Sequence, residues 1–373
     1  MNNHHLHIVS FDVPYPANYG GVIDVYYKIK ALHKKGVKVI LHCFQYGREA
    51  QNKLEDVCFE VHYYQRSEKL LKHFSLKPYI VNSRMEDTLI ARLLEDDYPI
   101  LFEGLHSTYY LPHKELKNRK KWVRIHNLEH EYYDGLANVE QDVFKKMYFK
   151  IEAFKLKKYE AVLRHADGLC AISNNDEQYL SQKFDAVHYL QAFHPNETLT
   201  CIEGKGDYAL YHGNLSVGEN QEAVRYLVTE VFAHINIPLV IAGGGAPLWM
   251  FDLIKGYKHI TLDKQDDMEH IKQLLLKAQI NVLPTFQPTG IKLKLLFALF
   301  NGRFCVVNSF MVSQTGLEPY CVIADTAEAM QKEIKRVFTL PFQAEDIKNR
   351  EGMLSQFSTE LGAVHLMKLL WNL

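Results

Sequence analysis

Short apolar runs alternate with segments of helical periodicity along most of the chain. The run "LHIVSFDV", residues 6–13, has the length and the apolar content of a buried β-strand. It is followed by Gly20-Gly21, by a segment whose apolar residues recur at helical spacing up to Gly36, and by the β-branched run 37–44. This β-α-β order predicts a parallel sheet with a right-handed crossover.

The same alternation occurs in two series, one up to about residue 190 and one from about residue 207. The first series predicts further strands at "FEVHYY", "PILFEG", "KWVRI" and "GLCAIS". The second series predicts strands at "DYALYHGN", "PLVIAGGG", "INVLPTF" and "FCVVNS", with helices between them. Two such series predict an α/β chain made of two Rossmann-like domains.

Composition and charge narrow the classes of function. A chain of 373 residues is too long for one ordinary hydrophobic core, which agrees with two domains. Its 43 basic and 44 acidic side chains nearly cancel, so we expect no nucleic-acid partner. Six scattered cysteines without a C-x-x-C pair predict reduced thiols. The N-terminal apolar run is too short for a signal sequence or a membrane span, and we expect a cytoplasmic protein.

The stretch "HNLEH", residues 126–130, allows two interpretations. In the first, His126, Glu129 and His130 form the H-x-x-E-H pattern of a zinc peptidase, whose histidines bind the metal and whose glutamate activates water. In the second, His126 lies in a loop at the carboxyl end of a strand, where open α/β sheets bind ligands. The extended run "KWVRI" precedes His126 where the zinc motif needs a helix, so we favour the second interpretation and expect no metal site.

Six motifs follow one another across both predicted domains. They are "ANYGGVIDVYYKIKALHKKGVKVILH", "RIHN", "YHGNLSVGENQEAV", "LVIAGGG", "NVLPT" and "TGIKLKLLFALFNGRFCVV". In this order they resemble the motifs of the retaining glycosyltransferases of family 4, and within it a branch that builds bacterial surface polysaccharides. Each motif alone is common, whereas six in one order are far more specific.

The resemblance implies a GT-B fold, in which two Rossmann-like α/β domains face a central cleft. It implies an acceptor domain over residues 1–190, a donor domain over residues 191–354, and a C-terminal helix, 355–373, that crosses back onto the first domain. The implied reaction moves a sugar from a nucleotide-sugar donor to a glycan or lipid-linked acceptor in surface polysaccharide biosynthesis. In the retaining mechanism of this family the donor phosphate accepts the proton, so no metal and no cofactor besides the donor substrate is implied.

The donor's diphosphate leaving group needs hydrogen-bond donors and positive charge, because negative charge grows on its oxygens during the reaction. Helix N-termini supply backbone N–H groups for this purpose, and glycine permits their close approach. With the resemblance, this predicts a donor-binding set of Gly20, Gly21, Gly213, Asn214, Gly243, Gly244, Gly245, Thr289, Gly290, Ile291, Lys294 and Phe297. Lys292 is predicted as the catalytic cation, with an ordinary solvated helix lysine as the alternative.

Four positions depart from the family pattern. Many members have an arginine and a lysine where this chain has Asn214 and Glu219. The two family glutamates are replaced by Thr289 and Phe297, and a phenyl ring accepts no hydrogen bond from ribose. An alternative function is therefore a non-catalytic GT-B protein that binds a nucleotide or a glycan.

Polar residues also follow two strands of the first series. Glu103 and His106 follow "PILF", and His126 with Asn127 follows "KWVRI". We predict Glu103, His106 and Asn127 on the acceptor side. We predict that His126 is catalytic and contacts the donor sugar or the acceptor hydroxyl, with a structural histidine as the alternative.

Residues 144–163 combine lysines with apolar residues at roughly helical spacing. The apolar members are Phe144, Tyr148, Ile151, Phe154 and Tyr159, and the lysines are Lys145, Lys146, Lys150, Lys155, Lys157 and Lys158. A basic amphipathic helix of this kind can lie on the anionic inner face of a membrane that holds a lipid-linked acceptor. The alternative, which we favour, is a helix packed into the core with a solvated lysine face.

Overall fold

The computed structural model describes residues 4–286, 293–313 and 315–373. These residues form two compact units. The first unit comprises residues 4–195 and Phe357–Leu373, and the second comprises the described residues between 196 and 356. The sequence-based boundaries, at residues 190 and 354, differ from the observed ones, at Pro195 and Gln356, by a few residues.

The first unit contains a seven-stranded parallel sheet in the order β3-β2-β1-β4-β5-β6-β7. Its strands are β1 (His5–Ser10), β2 (Lys38–Gln45), β3 (Glu60–Gln65), β4 (Ile100–Glu103), β5 (Lys121–Ile125), β6 (Gly168–Ala171) and β7 (Val187–Tyr189). Its first helices are α1 (Gly20–Lys34), α2 (Tyr79–Asn82), α3 (Asp87–Leu93), α4 (Glu129–Val139), α5 (Val143–Tyr159) and α6 (Asn174–Ser181). The carboxyl ends of β4 and β5 are neighbours, since Glu103 pairs with Arg124 in the register.

The second unit contains a six-stranded parallel sheet in the order β10-β9-β8-β11-β12-β13. Its strands are β8 (Ala209–His212), β9 (Leu239–Ala242), β10 (Ile260–Asp263), β11 (Ile280–Val282), β12 (Phe304–Val307) and β13 (Val322–Ile323). Its helices are α7 (Gly218–Tyr226), α8 (Leu248–Ile254), α9 (Met268–Lys277), α10 (Leu293–Asn301), α11 (Ser309–Val312), α12 (Ala327–Phe338), α13 (Ala344–Lys348) and α14 (Glu351–Gln356). The strand order reverses at β8, which is where doubly wound sheets open a crevice for ligands.

Three strands, β7, β10 and β13, were missed by the sequence-based prediction. All three lie at sheet edges and are two to four residues long. An edge strand buries fewer of its side chains, and none of the three contains a continuous buried run. The apolar run that marks a central strand is therefore absent from them.

The last helix of the chain, α15 (Thr359–Trp371), belongs to the first unit. Ser358 caps it by accepting a hydrogen bond from the N–H of Leu361. Leu366 and Leu370 are buried in the core cluster that also contains Val25 and Ile29 of α1. Its apolar face is therefore part of the core of the first unit. Among the described helices, none combines the length and the apolar character that crossing a membrane requires.

Candidate functional site

A cluster of buried charged side chains lies where α1, β4 and β5 meet in the first unit. Lys28 Nζ lies 2.7 Å from Glu103 Oε1 and 2.9 Å from Asp24 Oδ2. Arg124 Nη2 donates to Asp24 Oδ1 at 2.8 Å, and all four side chains are fully buried. Two carboxylates thus face two cations, and their charges cancel. Because an unpaired buried charge is costly, each member of the cluster depends on the others.

Both carboxylates of the cluster are ionised. Burial acts to raise the pKa of Asp24, but Arg124 and Lys28 beside it outweigh that effect and hold the pKa well below its usual range. Burial likewise opposes ionisation of Glu103, whose pKa is nevertheless lowered by Lys28 and by a hydrogen bond from His126. Glu103 therefore accepts hydrogen bonds and donates none.

His126, the residue after β5, is oriented by this cluster. Its Nε2 atom lies 2.9 Å from Glu103 Oε2, and because an ionised carboxylate only accepts, Nε2 carries a proton. The edge of the imidazole ring meets the ring of Phe11 at a centroid distance of 5.4 Å, and the residue is 9% exposed. The imidazole is thus held in one tautomer and one orientation by groups that are themselves fixed.

Asp24, Glu103 and His126 offer potential metal ligands within 4.8 Å of one another. The ammonium group of Lys28, however, lies within hydrogen-bond distance of both carboxylates. It already supplies the positive charge that a metal ion would bring. These three residues are therefore explained as an ion-pair network within the protein.

The H-x-x-E-H pattern does not have the geometry of a zinc peptidase. Helix α4 begins at Glu129, so His126 lies before the helix and does not share a face of it with His130. His130 Nδ1 lies 3.5 Å from Glu160, whereas His126 faces Glu103. The two histidines have different partners, and the zinc interpretation is not supported.

A second pair, the partly buried His106 and the buried Glu129, lies close to the first cluster. Nδ1 of His106 lies 3.6 Å from Oε1 of Glu129. Burial, with the charge of Arg84, lowers the pKa of His106 well below its usual value, and burial raises the pKa of Glu129 to about 8. At neutral pH this pair is a neutral imidazole beside a carboxylic acid. Nδ1 of His106 has no hydrogen-bond partner among the described residues.

The N-terminus of α1 offers backbone N–H groups without a side-chain cap. Tyr19 occupies the cap position and makes no cap hydrogen bond, and the first turn contains no acidic residue. A Cβ atom at Gly20 would meet nothing within 4 Å, whereas one at Gly21 would lie 2.6 Å from the ring of Phe11. The first position is therefore open to an anion, and the second allows the helix to pack on Phe11.

In the second unit, the loops that follow β8 and β9 lie against each other at the carboxyl edge of the sheet. Gly243 has φ +149°, and a Cβ atom there would lie 1.9 Å from the carbonyl oxygen of Gly213. Leu215 N donates to Gly244 O at 2.9 Å, and a Cβ atom at Gly245 would lie 2.8 Å from a side chain of the facing loop. Only glycine permits this backbone-to-backbone contact, which leaves an edge lined by peptide groups.

Asn214 shapes the loop after β8, and Lys294 lies near it. The side chain of Asn214 accepts hydrogen bonds from Ser216 N and Oγ at 3.0 and 2.6 Å. The backbone carbonyl oxygen of Asn214 accepts one from the side-chain amide of Asn220 at 2.8 Å. Lys294 Nζ donates to Oδ1 of the same Asn220 at 2.8 Å. Glu219, at the start of α7, hydrogen-bonds to the hydroxyl of Thr285. The predicted residues Gly213, Asn214, Gly243, Gly244, Gly245 and Lys294 thus form one group.

Comparisons with known proteins agree with this architecture. No family model matches the chain. A protein from Klebsiella pneumoniae, named "Uncharacterized 44.6 kDa protein in cps region", is 28% identical over 328 residues, which are 83% of this chain and 84% of that protein.

Several solved structures are similar over nearly the whole chain. Sucrose-phosphate synthase from Thermosynechococcus elongatus has a TM-score of 0.73 and 16% identity, with 98% of each chain covered. A variant of TarM from S. aureus, in complex with fondaparinux, α-GlcNAc-glycerol and UDP, has a TM-score of 0.68 and 12% identity, with 100% of each chain covered. A glycosyltransferase from Rickettsia africae has a TM-score of 0.65 and 13% identity, with 99% of this chain and 98% of that chain covered. The chain has the GT-B fold.

In this GT-B chain, the burial of two predicted site residues contradicts the roles that were predicted for them. Glu103 was predicted on the acceptor side, but it is fully buried and both of its oxygens bond to Lys28 and His126, so it positions His126 instead. Phe297 was predicted to line the donor site, but it is 8% exposed and its ring faces that of His212 at 6.2 Å, so it packs in the core of the second unit.

Of the predicted residues not yet placed, two are partly exposed and four lie outside the described part of the chain. Asn127 is partly exposed beside His126, and His106 lies with Glu129. Thr289, Gly290, Ile291 and Lys292 lie outside the described residues. The sequence-based prediction missed Asp24, Lys28 and the acid form of Glu129. The first two form an i,i+4 pair of opposite charge, a pattern that does not distinguish a buried pair from an exposed one.

Proposed function

We propose that the protein is a glycosyltransferase that moves a sugar from a nucleotide-sugar donor to a glycan or lipid-linked acceptor. The glycine-lined edge of the second unit carries this proposal, since Gly243 and Gly213 bring two backbones together where a GT-B donor domain binds its ligand. Peptide N–H groups at such an edge can bind phosphate oxygens without the cost of burying a charge. The UDP in the TarM structure supports a nucleotide as the ligand class.

We assign the finer features of the reaction from the motif order and from the similar protein of the cps region. The six motifs support a family 4 enzyme with a retaining mechanism, and the cps-region protein supports surface polysaccharide biosynthesis as the setting. In this mechanism Lys292 neutralises charge on the departing diphosphate. We also assign the amides of Gly20 and Gly21 to donor binding. No cofactor besides the donor substrate takes part.

We assign His126 to the substrate side of the first unit. Its Nε2–H is committed to Glu103, which leaves Nδ1 as the ring atom able to accept a proton or a hydrogen bond. Nδ1 lies 4.0 Å from Asp24, beyond hydrogen-bond distance. His126 therefore orients a hydroxyl by accepting its hydrogen bond, and His106 with Glu129 provides a neutral polar surface beside it.

For the location we propose the cytoplasm, with peripheral contact between residues 144–163 and the inner face of the membrane. The six cysteines are free thiols, five of them buried, which fits a reducing compartment. A lipid-linked acceptor would bring its sugar to the enzyme at that membrane surface.

Isothermal titration of the protein against UDP-, GDP- and ADP-sugars tests the proposal. We expect one nucleotide class to bind with 1:1 stoichiometry, and Gly243→Ala to weaken that binding strongly because its Cβ atom forces the two loops apart. A folded protein that binds none of the three classes would contradict the proposal.

A non-catalytic GT-B protein is a second candidate, and two observations favour it. Phe297 is buried where the family has a ribose-binding glutamate, and Glu219 replaces a phosphate-binding cation and bonds to Thr285 instead. Such a protein would bind a nucleotide or glycan and release no nucleoside diphosphate. Turnover of any donor, including slow hydrolysis, would exclude it.

A further inference from the structure

Helix α5 carries a row of apolar side chains that face solvent. Spaced three or four residues apart along one face, they are Phe144 (80% exposed), Met147 (55%), Ile151 (48%) and Phe154 (61%), with Val143 (74%) at the start of the helix. The opposite face of α5 anchors it to the first unit through the buried residues Glu152, Ala153 and Leu156. The favoured sequence-based interpretation, a core-packed apolar face, is therefore wrong for Phe144, Ile151 and Phe154.

A neighbouring loop extends this apolar surface. Phe74 is 86% exposed and Leu76 is 97% exposed. The loop is held to α5, since Lys155 Nζ donates to His73 O at 2.9 Å and the ring of His73 contacts that of Tyr148 at 5.7 Å. We call Phe74, Leu76 and the apolar row of α5 the exposed apolar surface. Large apolar side chains grouped in this way mark an interaction site.

Positive charge surrounds the exposed apolar surface. Helix α5 contains six lysines and one acidic residue, Glu152, which is buried and bonded to Tyr79 N and to Lys155. In helical projection Lys146, Lys150 and Lys157 border one side of the row and Lys155 the other, at the positions expected from 100° per residue. Lys150 is paired with Asp134 at 2.8 Å, whereas Lys146 and Lys157 are exposed. The ammonium group of Lys158 lies 4.3 Å from the ring centre of Phe154. The surface is therefore apolar in the middle and cationic at its margins.

We propose that the exposed apolar surface docks on an anionic lipid bilayer, with Phe144, Phe154, Phe74 and Leu76 in the headgroup layer and the lysines on lipid phosphates. This proposal names the residues and the lipids of the membrane contact proposed above. It rests on the proposed function, since a lipid-linked acceptor is the reason for the enzyme to bind a membrane. Interfacial helices bind membranes in this way. Their apolar side chains enter the boundary of the acyl region, and lysines at the border contact the lipid phosphates.

Charge decides between a membrane and a second copy of the chain. In a two-fold dimer the same surface would face itself, so that the lysine borders of the two copies would meet. An anionic bilayer instead offers negative charge to the exposed lysines Lys146 and Lys157 and an apolar layer to the aromatic rings. Binding should therefore need both anionic lipid and the aromatic side chains.

Co-sedimentation of the full chain with vesicles tests the proposal. The vesicles contain phosphatidylcholine alone or phosphatidylcholine with about one-third phosphatidylglycerol. We expect binding only to the second kind, and a loss of at least about tenfold in the partition coefficient for Phe144→Asp with Phe154→Asp. Lys146→Gln with Lys157→Gln should weaken binding about fivefold per lysine. All of these positions are exposed, so the melting temperature should stay nearly unchanged.

Matched controls lie on the second unit. Leu248, 83% exposed, and Lys255, whose side chain is 74% exposed, are changed to Asp and Gln, and neither change should affect vesicle binding. Equal binding to neutral vesicles, no binding at all, or full binding by the aspartate variant would overturn the proposal. A dimer that dissociates in the aspartate variant, without vesicle binding, would overturn it in favour of self-association. Donor titration of the same variants should be unaffected, which separates this test from that of the proposed function.

Discussion

Nε2 of His126 lies 2.9 Å from Oε2 of Glu103, and the other oxygen of that carboxylate lies 2.7 Å from the ammonium group of Lys28. The negative charge of Glu103 is thus offset by a buried cation on the side away from the imidazole. The carboxylate of Glu103 can therefore orient the imidazole while Lys28 offsets its negative charge. An imidazole fixed in this way is suited to orienting a neutral hydroxyl group.

The first prediction concerns the dependence of this cluster on Lys28. Lys28→Met leaves Asp24 and Glu103 with one buried cation between them, so we expect a loss of about 3–5 kcal/mol in the free energy of unfolding. Lys30, exposed on the same helix, is the control, and Lys30→Met should change that free energy by less than about 0.5 kcal/mol. Denaturant titration measures both, and equal losses would show that the cluster does not stabilise the fold.

The second prediction concerns pH and Glu129. Burial raises the pKa of Glu129 from 4.5 to about 8, so between these values the folded protein keeps a proton that the unfolded chain has released. The stability that this proton provides is complete below pH 4.5 and is lost as pH rises towards 8, by about 1.4 kcal/mol per pH unit.

Glu129→Gln removes the titration and keeps the shape of the side chain. The variant should gain stability relative to the natural protein as pH rises from 5 to 8. Denaturant titrations at four pH values within this range give the comparison. A difference that stays constant with pH would mean that Glu129 titrates near its ordinary pKa.

The third prediction concerns Phe297. Because it is packed in the core of the second unit, Phe297→Glu buries a carboxylate without a partner and should cost about 3 kcal/mol or more in the free energy of unfolding. Phe297→Leu, which keeps an apolar side chain, should cost no more than about 1.5 kcal/mol. Donor affinity should not rise in the glutamate variant. A stable glutamate variant with tighter donor binding would show that residue 297 faces the ribose.

The fourth prediction compares two adjacent glycines at the start of α1. Gly20→Ala adds a methyl group into open space, so stability should be kept or rise by up to about 1 kcal/mol, while turnover falls about tenfold as the methyl group blocks the diphosphate. Gly21→Ala places a Cβ atom 2.6 Å from Phe11 and should cost about 1–3 kcal/mol in stability. Melting curves and initial rates of both variants separate these effects. Full activity of Gly20→Ala would show that the N-terminus of α1 does not bind the diphosphate.

The fold was predictable because parallel strands buried on both faces are continuous apolar runs, and helices between them have a clear period. The edge strands β7, β10 and β13 lack such runs and were missed. The charged cluster was harder to predict, since Arg124 and Asp24 lie 100 positions apart in the sequence and only the fold brings them together. Asp24 and Lys28 have the ordinary appearance of an exposed helix pair.

Burial was the property that the sequence determined least well. The pattern of Phe144 and Phe154 on a lysine-rich helix fits a packed face and an exposed face equally, and only the neighbouring elements decide between them. Phe297 illustrates the opposite case. Its alignment with a family glutamate indicated a ligand contact, whereas the apolar run of α10 turns its ring into the core.

The most direct test of the account is donor turnover by the natural protein and by Lys292→Ala. Purified protein is incubated with UDP-, GDP- and ADP-sugars, with water as the acceptor of the sugar, and the nucleoside diphosphate released by this slow hydrolysis is measured. We predict release from one nucleotide class, and a rate lower by about 30- to 1000-fold in Lys292→Ala, because removing a cation from a developing phosphate charge costs about 2–4 kcal/mol in the transition state. The melting temperatures of the two proteins should agree. No release from any donor by the folded natural protein would contradict the assignment of a glycosyltransferase.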